Sequence, residues 1–371
     1  MKLAIERAAL LRSLGHVQNV VERRTTIPIL NNVKLAGADG LELVATDLDL
    51  TLLAREPAEV ARRGATTVPA HTLFDIVRKL PEGATVTLEQ QPGSSELELR
   101  AGRSRFVLPT LPVDDFPAVG GDELEVRFEI APTDLVKLID KARFAISTEE
   151  TRYYLNGIHF HVAGKGAART LRGVATDGHR LARIEVALPP GAERMPPVIV
   201  PRKTVAELRK LVEGEEAPVG VAVSAARIEI ACGRARLLSR LIDGTFPDYE
   251  RVIPTANERV ALVPTKAFAE AVDRVATISM EKARPIKLAF ESGRVTVSAV
   301  SPEQGRAEEE LDCVWQGEPL EIGFNARYVL DMVTQIEGPE LRIEMANAAA
   351  PTVVKDPADP ALLFVLMPMR V

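Results

Sequence analysis

At 371 residues, 46% of them apolar and 26% charged, the chain is long enough for two or three packed domains and too apolar for a disordered segment. Its two cysteines, Cys232 and Cys313, have no paired spacing, which argues against a disulfide framework or a Cys-rich zinc site and for a reducing, cytoplasmic setting. A net charge of −6 is only a weak veto on nucleic-acid binding, because phosphate attraction is local and screened over about 8 Å at physiological salt.

The N-terminal stretch MKLAIERAALLRSL holds Glu6 and Arg7 within its apolar pattern, unlike a secretory leader. No stretch approaches the roughly 20 apolar residues that span a bilayer. A helix is expected over 5–21 (IERAALLRSLGHVQNVV), a strand over 40–45 after the turn Ala38-Asp39-Gly40, and a second helix over 68–83 (VPAHTLFDIVRKLPEG). The second helix opens on Pro and closes on Gly, the usual start and stop signals. Alternating strands at 84–88 and 96–100 follow, then 102–117 (GRSRFVLPTLPVDDFP) and an irregular segment at 119–125.

The same order recurs twice. Residues 130–146 (IAPTDLVKLIDKARFAI) repeat the first helix, with Leu135, Leu138, Ile139, Ala142 and Ile146 on one face and Lys137, Lys141 and Arg143 pointing elsewhere. Residues 200–214 (VPRKTVAELRKLVEG) repeat the second helix, 227–231 a strand, and 233–247 (GRARLLSRLIDGTFP) the domain end, with a linker at 251–258. In the last third, 262–278 (LVPTKAFAEAVDRVATI) and 324–338 (FNARYVLDMVTQIEG) echo the two helices, and 294–299 and 341–345 read as strands around the turn Glu291-Ser292-Gly293. A threefold repeat predicts an α+β fold of three like domains, 1–125, 126–256 and 257–371, each with two helices packed on antiparallel sheets. The middle domain alone is basic, with 20 Lys and Arg against 16 Asp and Glu.

Phosphate loops, dinucleotide fingerprints, nucleophile elbows and zinc-protease helices are all missing from the sequence. Asp47 and Asp49 (ATDLDL) could hold magnesium in a phosphoesterase, although strand carboxylates at this spacing more simply face solvent. His159 and His161 (IHFHV) share a strand face but show no third metal ligand. In 175–182 (ATDGHRLA) Asp177 stands beside His179 and Arg180, where Asp-Gly is equally a turn signal. The first domain keeps Ala, Thr and Asp of this run and lacks the His and Arg.

Several longer motifs together are family-specific: ERRTTIPIL at 22–30, GATTVPA at 64–70, GRSRF at 102–106, RYYLNG at 152–157, VATDGHRLA at 174–182, VIVPRK at 198–203, DGTFPDYERVIP at 243–254, EIGFN at 321–325 and MPMRV at 367–371. On these the chain resembles, from end to end, the bacterial DNA polymerase III beta subunit, the sliding clamp. The resemblance implies half of a closed ring: a head-to-tail homodimer of six clamp domains around duplex DNA, held without sequence specificity, non-catalytic and without a cofactor or metal. It implies as partners the replicative polymerase alpha subunit, the clamp loader delta subunit, and other clamp-motif proteins such as repair polymerases, mismatch repair proteins and DNA ligase. The rival readings are a peptide-binding repeat scaffold and the metal-dependent phosphoesterase.

By the same resemblance the DNA-facing residues are Arg24, Arg152, Tyr153, Tyr154, Arg202 and Lys203, with one of the two tyrosines packing in the core as the alternative. His71 and Glu149 stand where relatives carry basic or amide residues, and Arg23 beside Arg24 offsets them in part. Partner peptides would dock in a cleft lined by Leu155, Thr176, Gly178, His179, Arg180, Leu181, Pro247, Arg251 and Val252 of the middle domain. Ala349, Pro351, Val365, Met367, Pro368, Met369 and Arg370 of the last domain would complete it. Without the resemblance, Met367 and Met369 would read as closing the last domain's core. For the ring interface it points to Arg103, Arg105, Phe106 and Leu108 meeting Thr277, Ile278, Glu303, Glu308 and Glu309 of the neighbouring copy.

Overall fold

Period-two apolar alternation dominates the chain, and in the computed structural model it becomes four antiparallel sheets carrying six helices; residues 1–120, 124–279 and 285–370 are described. The first repeat runs β1 (Lys2–Glu6), α1 (Arg7–Val17), β2 (Asn32–Gly37), β3 (Leu41–Thr46), β4 (Leu50–Glu56), β5 (Glu59–Arg62), β6 (Gly64–Pro69), α2 (Ala70–Lys79), β7 (Thr85–Glu89), β8 (Glu96–Ala101) and β9 (Ser104–Pro109). The second runs β10 (Val126–Ile130), α3 (Pro132–Asp140), β11 (Gly157–Ala163), β12 (Thr170–Thr176), β13 (Arg180–Ala187), β14 (Val198–Pro201), α4 (Arg202–Leu211), β15 (Val219–Val223), β16 (Arg227–Cys232) and β17 (Ala235–Arg240). The third runs β18 (Arg259–Pro264), α5 (Thr265–Ala276), β19 (Pro285–Glu291), β20 (Arg294–Ser301), β21 (Gly305–Asp312), β22 (Val314–Gln316), β23 (Leu320–Asn325), α6 (Ala326–Val333), β24 (Glu340–Met345), β25 (Thr352–Asp356) and β26 (Asp359–Leu366).

All six expected helices form, each shorter than its repeat, because the apolar residue opening every motif is the end of a strand. Ile5 is the last residue but one of β1, Ile130 closes β10, and Val68, Val200 and Phe324 lie in β6, β14 and β23. The helix then begins at the Pro or Asn: Asn325 caps α6 by accepting the backbone N–H groups of Arg327 and Tyr328, as a good N-cap does. On α3 the expected face is buried at Leu135, Leu138 and Ile139, and Lys137 and Lys141 turn out to ion pairs with Asp359 and Glu337. α2 ends instead at Leu80, in extended backbone before Pro81, and the expected stop residues Gly83 and Gly214 turn the chain beyond their helices in the left-handed region, at φ 73° and 76°.

The contact pattern groups the chain into two units that do not coincide with the repeats: 1–133 with 189–196 and 203–241, and 134–188 with 197–202 and 242–371. The sheets give the reason. In the first unit β17 of the middle repeat pairs with β4 of the first, making the eight-stranded order β10-β15-β16-β17-β4-β3-β2-β6. In the second unit β13 of the middle repeat pairs with β26 of the last, within β14-β11-β12-β13-β26-β25-β24-β18-β22. Main-chain hydrogen bonds therefore weld each half of the middle repeat to a different neighbour. The first unit also holds the sheet β5-β1-β7-β8-β9, and the second the sheet β21-β20-β19-β23.

Residues 121–123 of the expected linker at 119–125 lie outside the described residues, as does Val371 of the MPMRV motif. The second expected linker, 251–258, is structured in part. Its first two residues belong to the 3-10 turn Tyr249–Val252, and Asn257 donates its side-chain amide to the carbonyls of Glu344 and Pro351.

Candidate functional site

The cleft residues expected from sequence gather in the second unit, where strands of the middle and last repeats share one sheet. Leu155, Leu181 and Val365 are buried in a single apolar cluster with Val174, Ile199, Phe246, Tyr249, Val353 and Leu363, and Tyr154, Ile242 and Ile253 pack against it. Strand pairing produces this meeting, since Leu181 of β13 lies directly opposite Val365 of β26. Pro247, Val252 and Met367 stand at the surface, with Val252 52% and Met367 40% exposed. Apolar side chains held in water beside a buried apolar floor are the usual marks of a docking groove.

Each wall is fixed by hydrogen bonds. At the turn, Thr176 accepts the N–H of Gly178 and donates to the carbonyl of Arg180, and Asp177 accepts the N–H groups of His179 and Arg180. Gly178 takes the left-handed place of this turn at φ +87°, as Leu48 does at φ 83° in the matching turn of the first repeat. The C-terminal strand segment is pinned where the Met367 N–H reaches His179 O at 2.8 Å and the Met369 N–H reaches Gly323 O at 2.9 Å. Asn347 caps the N–H groups of Ala349 and Ala350 beside Pro351.

Arg180 has a different posture from the rest of the lining. Its guanidinium is paired with Asp177 and Asp331 and lies over the rings of Tyr328 and Phe144, at 4.3 and 5.3 Å. That geometry makes it a brace between the 176–180 turn and α6. Arg251, by contrast, is exposed and paired with Asp248 at 2.7 Å.

The residues expected to face DNA divide similarly. Arg24 and Arg202 are exposed. Lys203 is bound to Asp47 and to the carbonyl of Val20, with Glu22 at 3.5 Å, so its charge is already matched. Asp47 also accepts the N–H groups of Asp49 and Leu50, which makes it the anchor of a turn. Among the described residues no three His, Cys, Asp or Glu side chains gather as a metal would need. Arg152 is held by Glu149 at 2.8 Å, and that bond draws the Glu149 carboxyl below its ordinary pKa. The two tyrosines split: Tyr153 is 52% exposed, and Tyr154 packs on the cleft cluster. His71 is tied by both ring nitrogens, to Gln18 at 2.9 Å and to the Val21 carbonyl at 3.0 Å.

The expected interface residues lie on or next to two edge strands, except Thr277 and Ile278. Among the described residues β9 pairs only with β8, and β21 only with β20, so one ladder of each is open there. Arg103 and Arg105 are exposed on β9 and its turn, with Phe106 half-buried and Leu108 buried. Arg100 and Arg105 together hold the Glu98 carboxyl down to about 2 through hydrogen bonds. On the other edge Glu303 and Glu308 are exposed, Glu309 is paired with Arg274 at 2.6 Å, and Thr277 and Ile278 follow the end of α5. Val107 and Val300, 43% and 75% exposed, sit on or beside these edges and were not singled out from sequence.

Phe246, Tyr249, Val353 and the two strand histidines were likewise passed over as parts of the cleft. His159 and His161 stack on each other and on the 246–249 segment; burial holds both imidazoles down to about 4. The IHFHV alternation signalled a shared face, but only the fold shows what covers it.

Models of the DNA polymerase III beta subunit match the chain three times: the N-terminal domain over residues 1–120, the central domain over 129–248 and the C-terminal domain over 250–370. The beta sliding clamp of Caulobacter vibrioides is 53% identical over 372 residues and that of Escherichia coli 38% over 377, each covering both chains fully. A crystal structure of the C. crescentus beta sliding clamp superposes with a TM-score of 0.97 at 53% identity, covering 100% of this chain and 99% of that one. The sliding clamp of Bartonella birtlesii bound to griselimycin gives 0.97 at 43% identity with both chains fully covered. Sequence and fold agree over the whole length, and the chain belongs to the DNA polymerase III beta subunit family.

Proposed function

We infer that the chain is the non-catalytic processivity factor of a DNA polymerase: two copies close head to tail into a ring that encircles duplex DNA and tethers partners through the cleft. The repeats 1–125, 126–256 and 257–371 then supply three of the six domains. One observation carries the reading, the pair of open edges at β9 and β21. In each unit a last strand of one repeat already pairs with a hairpin strand of another, and both pairings keep one register: Leu52 opposes Leu237, and Ala182 opposes Phe364. Leu52 and Ala182 are also the partners of Ala45 and Ala175 across their own hairpins, and Ala307 is the partner of Ala299 in the same way. Leu237 stands four residues after Gly233, as Phe106 does after Gly102. The repeat logic therefore sets Phe106 of one copy opposite Ala307 of the other, with Arg105 opposite Glu308 and Leu108 opposite Gly305. A heterologous contact of this kind closes when its rotation divides the circle.

Encircling DNA needs only weak, exchangeable phosphate contacts, which Arg24, Arg202 and the exposed Tyr153 suit. The cleft favours short apolar peptides, because Met367 and Met369 repack around different side chains. The griselimycin complexes of relatives agree with a cleft that takes a ligand. We assign to it the clamp-binding segments of the polymerase alpha subunit, the loader delta subunit and repair proteins, in the cytoplasm. No helix among the described residues is long and apolar enough to cross a membrane.

Retention on nicked circular DNA is the decisive test. A ring remains on the circle and slides off when the circle is cut to a line. Equal retention on both forms would leave the scaffold reading standing, and metal-dependent turnover lost in Asp47→Asn would restore the phosphoesterase.

A further inference from the structure

We propose that His159 and His161 are positioning residues for the peptide cleft: a stacked pair of neutral imidazoles that pins Phe246 and Tyr249, and so the 247–252 wall, and releases it on protonation. The proposal rests on the cleft reading above for its link to peptide binding. Its geometry stands independently.

The four rings form one continuous pile. His159 lies 4.6 Å from His161 at 17° and 4.7 Å from Phe246 at 9°, and His161 lies 5.7 Å from Tyr249. Phe246 and Tyr249 are buried, and between and after them Pro247, Arg251 and Val252 reach the surface. The wall is thus held from beneath by these two rings.

The hydrogen-bond partners suit neutral rings. His159 Nδ1 lies 3.2 Å from the Val198 carbonyl, which only accepts, so that nitrogen carries the proton. Tyr249 Oη accepts from Arg172 at 3.0 Å and has its own hydrogen to give to His161 Nε2, also at 3.0 Å. His161 Nε2 is therefore the acceptor. The neutral ring then carries its hydrogen on Nδ1, which is buried with no partner among the described residues, so the added proton of a cation can go only to Nε2.

Every neighbouring charge opposes protonation or is already matched. From β12 comes Arg172, opposite His161 in the ladder. From β13 come Arg183 and Glu185; Glu185 is shared by Arg172 and Arg183 at 2.9 and 3.4 Å. From the wall come Tyr249, Glu250, which is bound to Arg172 at 2.6 Å, and Asp248, which is bound to Arg251. β14 offers only backbone through Val198 and Ile199. A proton on His161 Nε2 would face the Tyr249 hydroxyl donor to donor and add a cation beside Arg172 and His159.

The test is hydrogen exchange of the full-length protein, read by mass spectrometry over 242–253 and corrected for the intrinsic pH dependence of exchange. Lowering the pH from about 7.5 to 5 should raise exchange there at least tenfold relative to the rest of the chain. Release from about 4 to the ordinary 6.5 allows about 30-fold per imidazole at that pH. In the double variant His159→Phe, His161→Gln, which keeps a ring and an acceptor but cannot charge, exchange should stay flat. Acid loosening of equal size in that variant, or none in the wild type, would overturn the pin. Proton NMR of the wild-type imidazoles decides independently of any folding defect: titration of both above pH 6 also sinks it. Griselimycin at pH 7.5 separates the two readings. Protection of 242–253 supports the link to the cleft, and its absence with the acid loosening intact overturns the cleft link alone.

Discussion

Phe106→Ala tests the ring at its least redundant point. Phe106 is half-buried on an edge strand whose outer ladder is open, and the repeat register sets it against Ala307 of a second copy, a small residue that leaves room for a ring. Emptying such an anchor removes ~2 to 4 kcal/mol at one interface. A two-copy ring carries the change twice, so the dimer loses ~4 to 8 kcal/mol, a thousandfold to roughly a millionfold in dissociation constant. Sedimentation velocity should show a monomer at concentrations where the wild type remains a dimer, with unchanged thermal unfolding excluding a general folding loss. A variant dimer that persists at the same nanomolar concentration would refute the assignment. The register has its own check: Phe106→Cys with Ala307→Cys should cross-link the two copies, and Ser104→Cys with Ala307→Cys should not. Native Cys232 and Cys313 are buried and do not compete.

Deleting 367–371 should abolish griselimycin binding by calorimetry and leave the dimer intact, since neither β9 nor β21 includes those residues; the two lost backbone bonds cost only about 1 kcal/mol each. Arg24→Ala and Arg202→Ala should each lower the slope of log affinity for DNA against log salt by about 1, measured by fluorescence anisotropy. Lys203→Ala should change that slope less, because its ammonium is already paired with Asp47, and should instead lower the unfolding temperature. Acid should destabilise the fold in two stages. The depressed imidazoles of His159 and His161 contribute stability that is full above about 6.5 and drains as pH falls toward about 4, at most ~1.4 kcal/mol per pH unit each. The depressed carboxyls of Glu149, Glu309 and Glu344 lose theirs only below their ordinary 4.5. Chemical denaturation from pH 8 to 4 resolves the first stage; a flat profile down to 5 would contradict it.

The helices were legible because each carries its own period and its own start signal, as Pro69, Pro201 and Asn325 do at the heads of α2, α4 and α6. Alternating apolar runs such as 96–100 and 294–299 gave their strands within two residues. Strand pairing was not legible, because alternation names a face and not a neighbour. Nothing in the residues of β4 says that its partner is β17, from another repeat, and so the division of the middle repeat between two units could not be read. The cleft shows the same limit. Leu155, Leu181 and Val365 were named for the cleft by resemblance, whereas Phe246 and Tyr249, although inside the motif at 243–254, were not, because only the fold lays the strand face of His159 and His161 under them. Lys203 shows the converse. Its charge was legible, but its partner Asp47 lies 156 positions away, and only the fold brings the two together.

The two closed junctions and the two open edges differ in chemistry as well as in pairing. β4 meets β17 through Leu52 and Leu237, and β13 meets β26 through Ala182 and Phe364, apolar pairs that suit contacts never exposed to water. The open edges are charged instead: Arg103 and Arg105 on one, Glu308, Glu309 and Glu310 on the other. An exposed edge strand without charge would pair with any other chain, and like charges on β9 oppose β9-to-β9 pairing as those on β21 oppose β21-to-β21. Only β9 against β21 brings opposite signs together, which is the head-to-tail arrangement. Exposed ion pairs contribute little attraction, so in the proposed ring these charges would act chiefly on the choice of partner edge, with the half-buried Phe106 as the apolar anchor and the buried Leu108 beneath it. Arg105→Glu should therefore weaken the dimer modestly, and Glu308→Arg added to it should restore the dimer. Failure of that restoration, with Phe106→Ala still dissociating the ring, would keep the interface and discard the register.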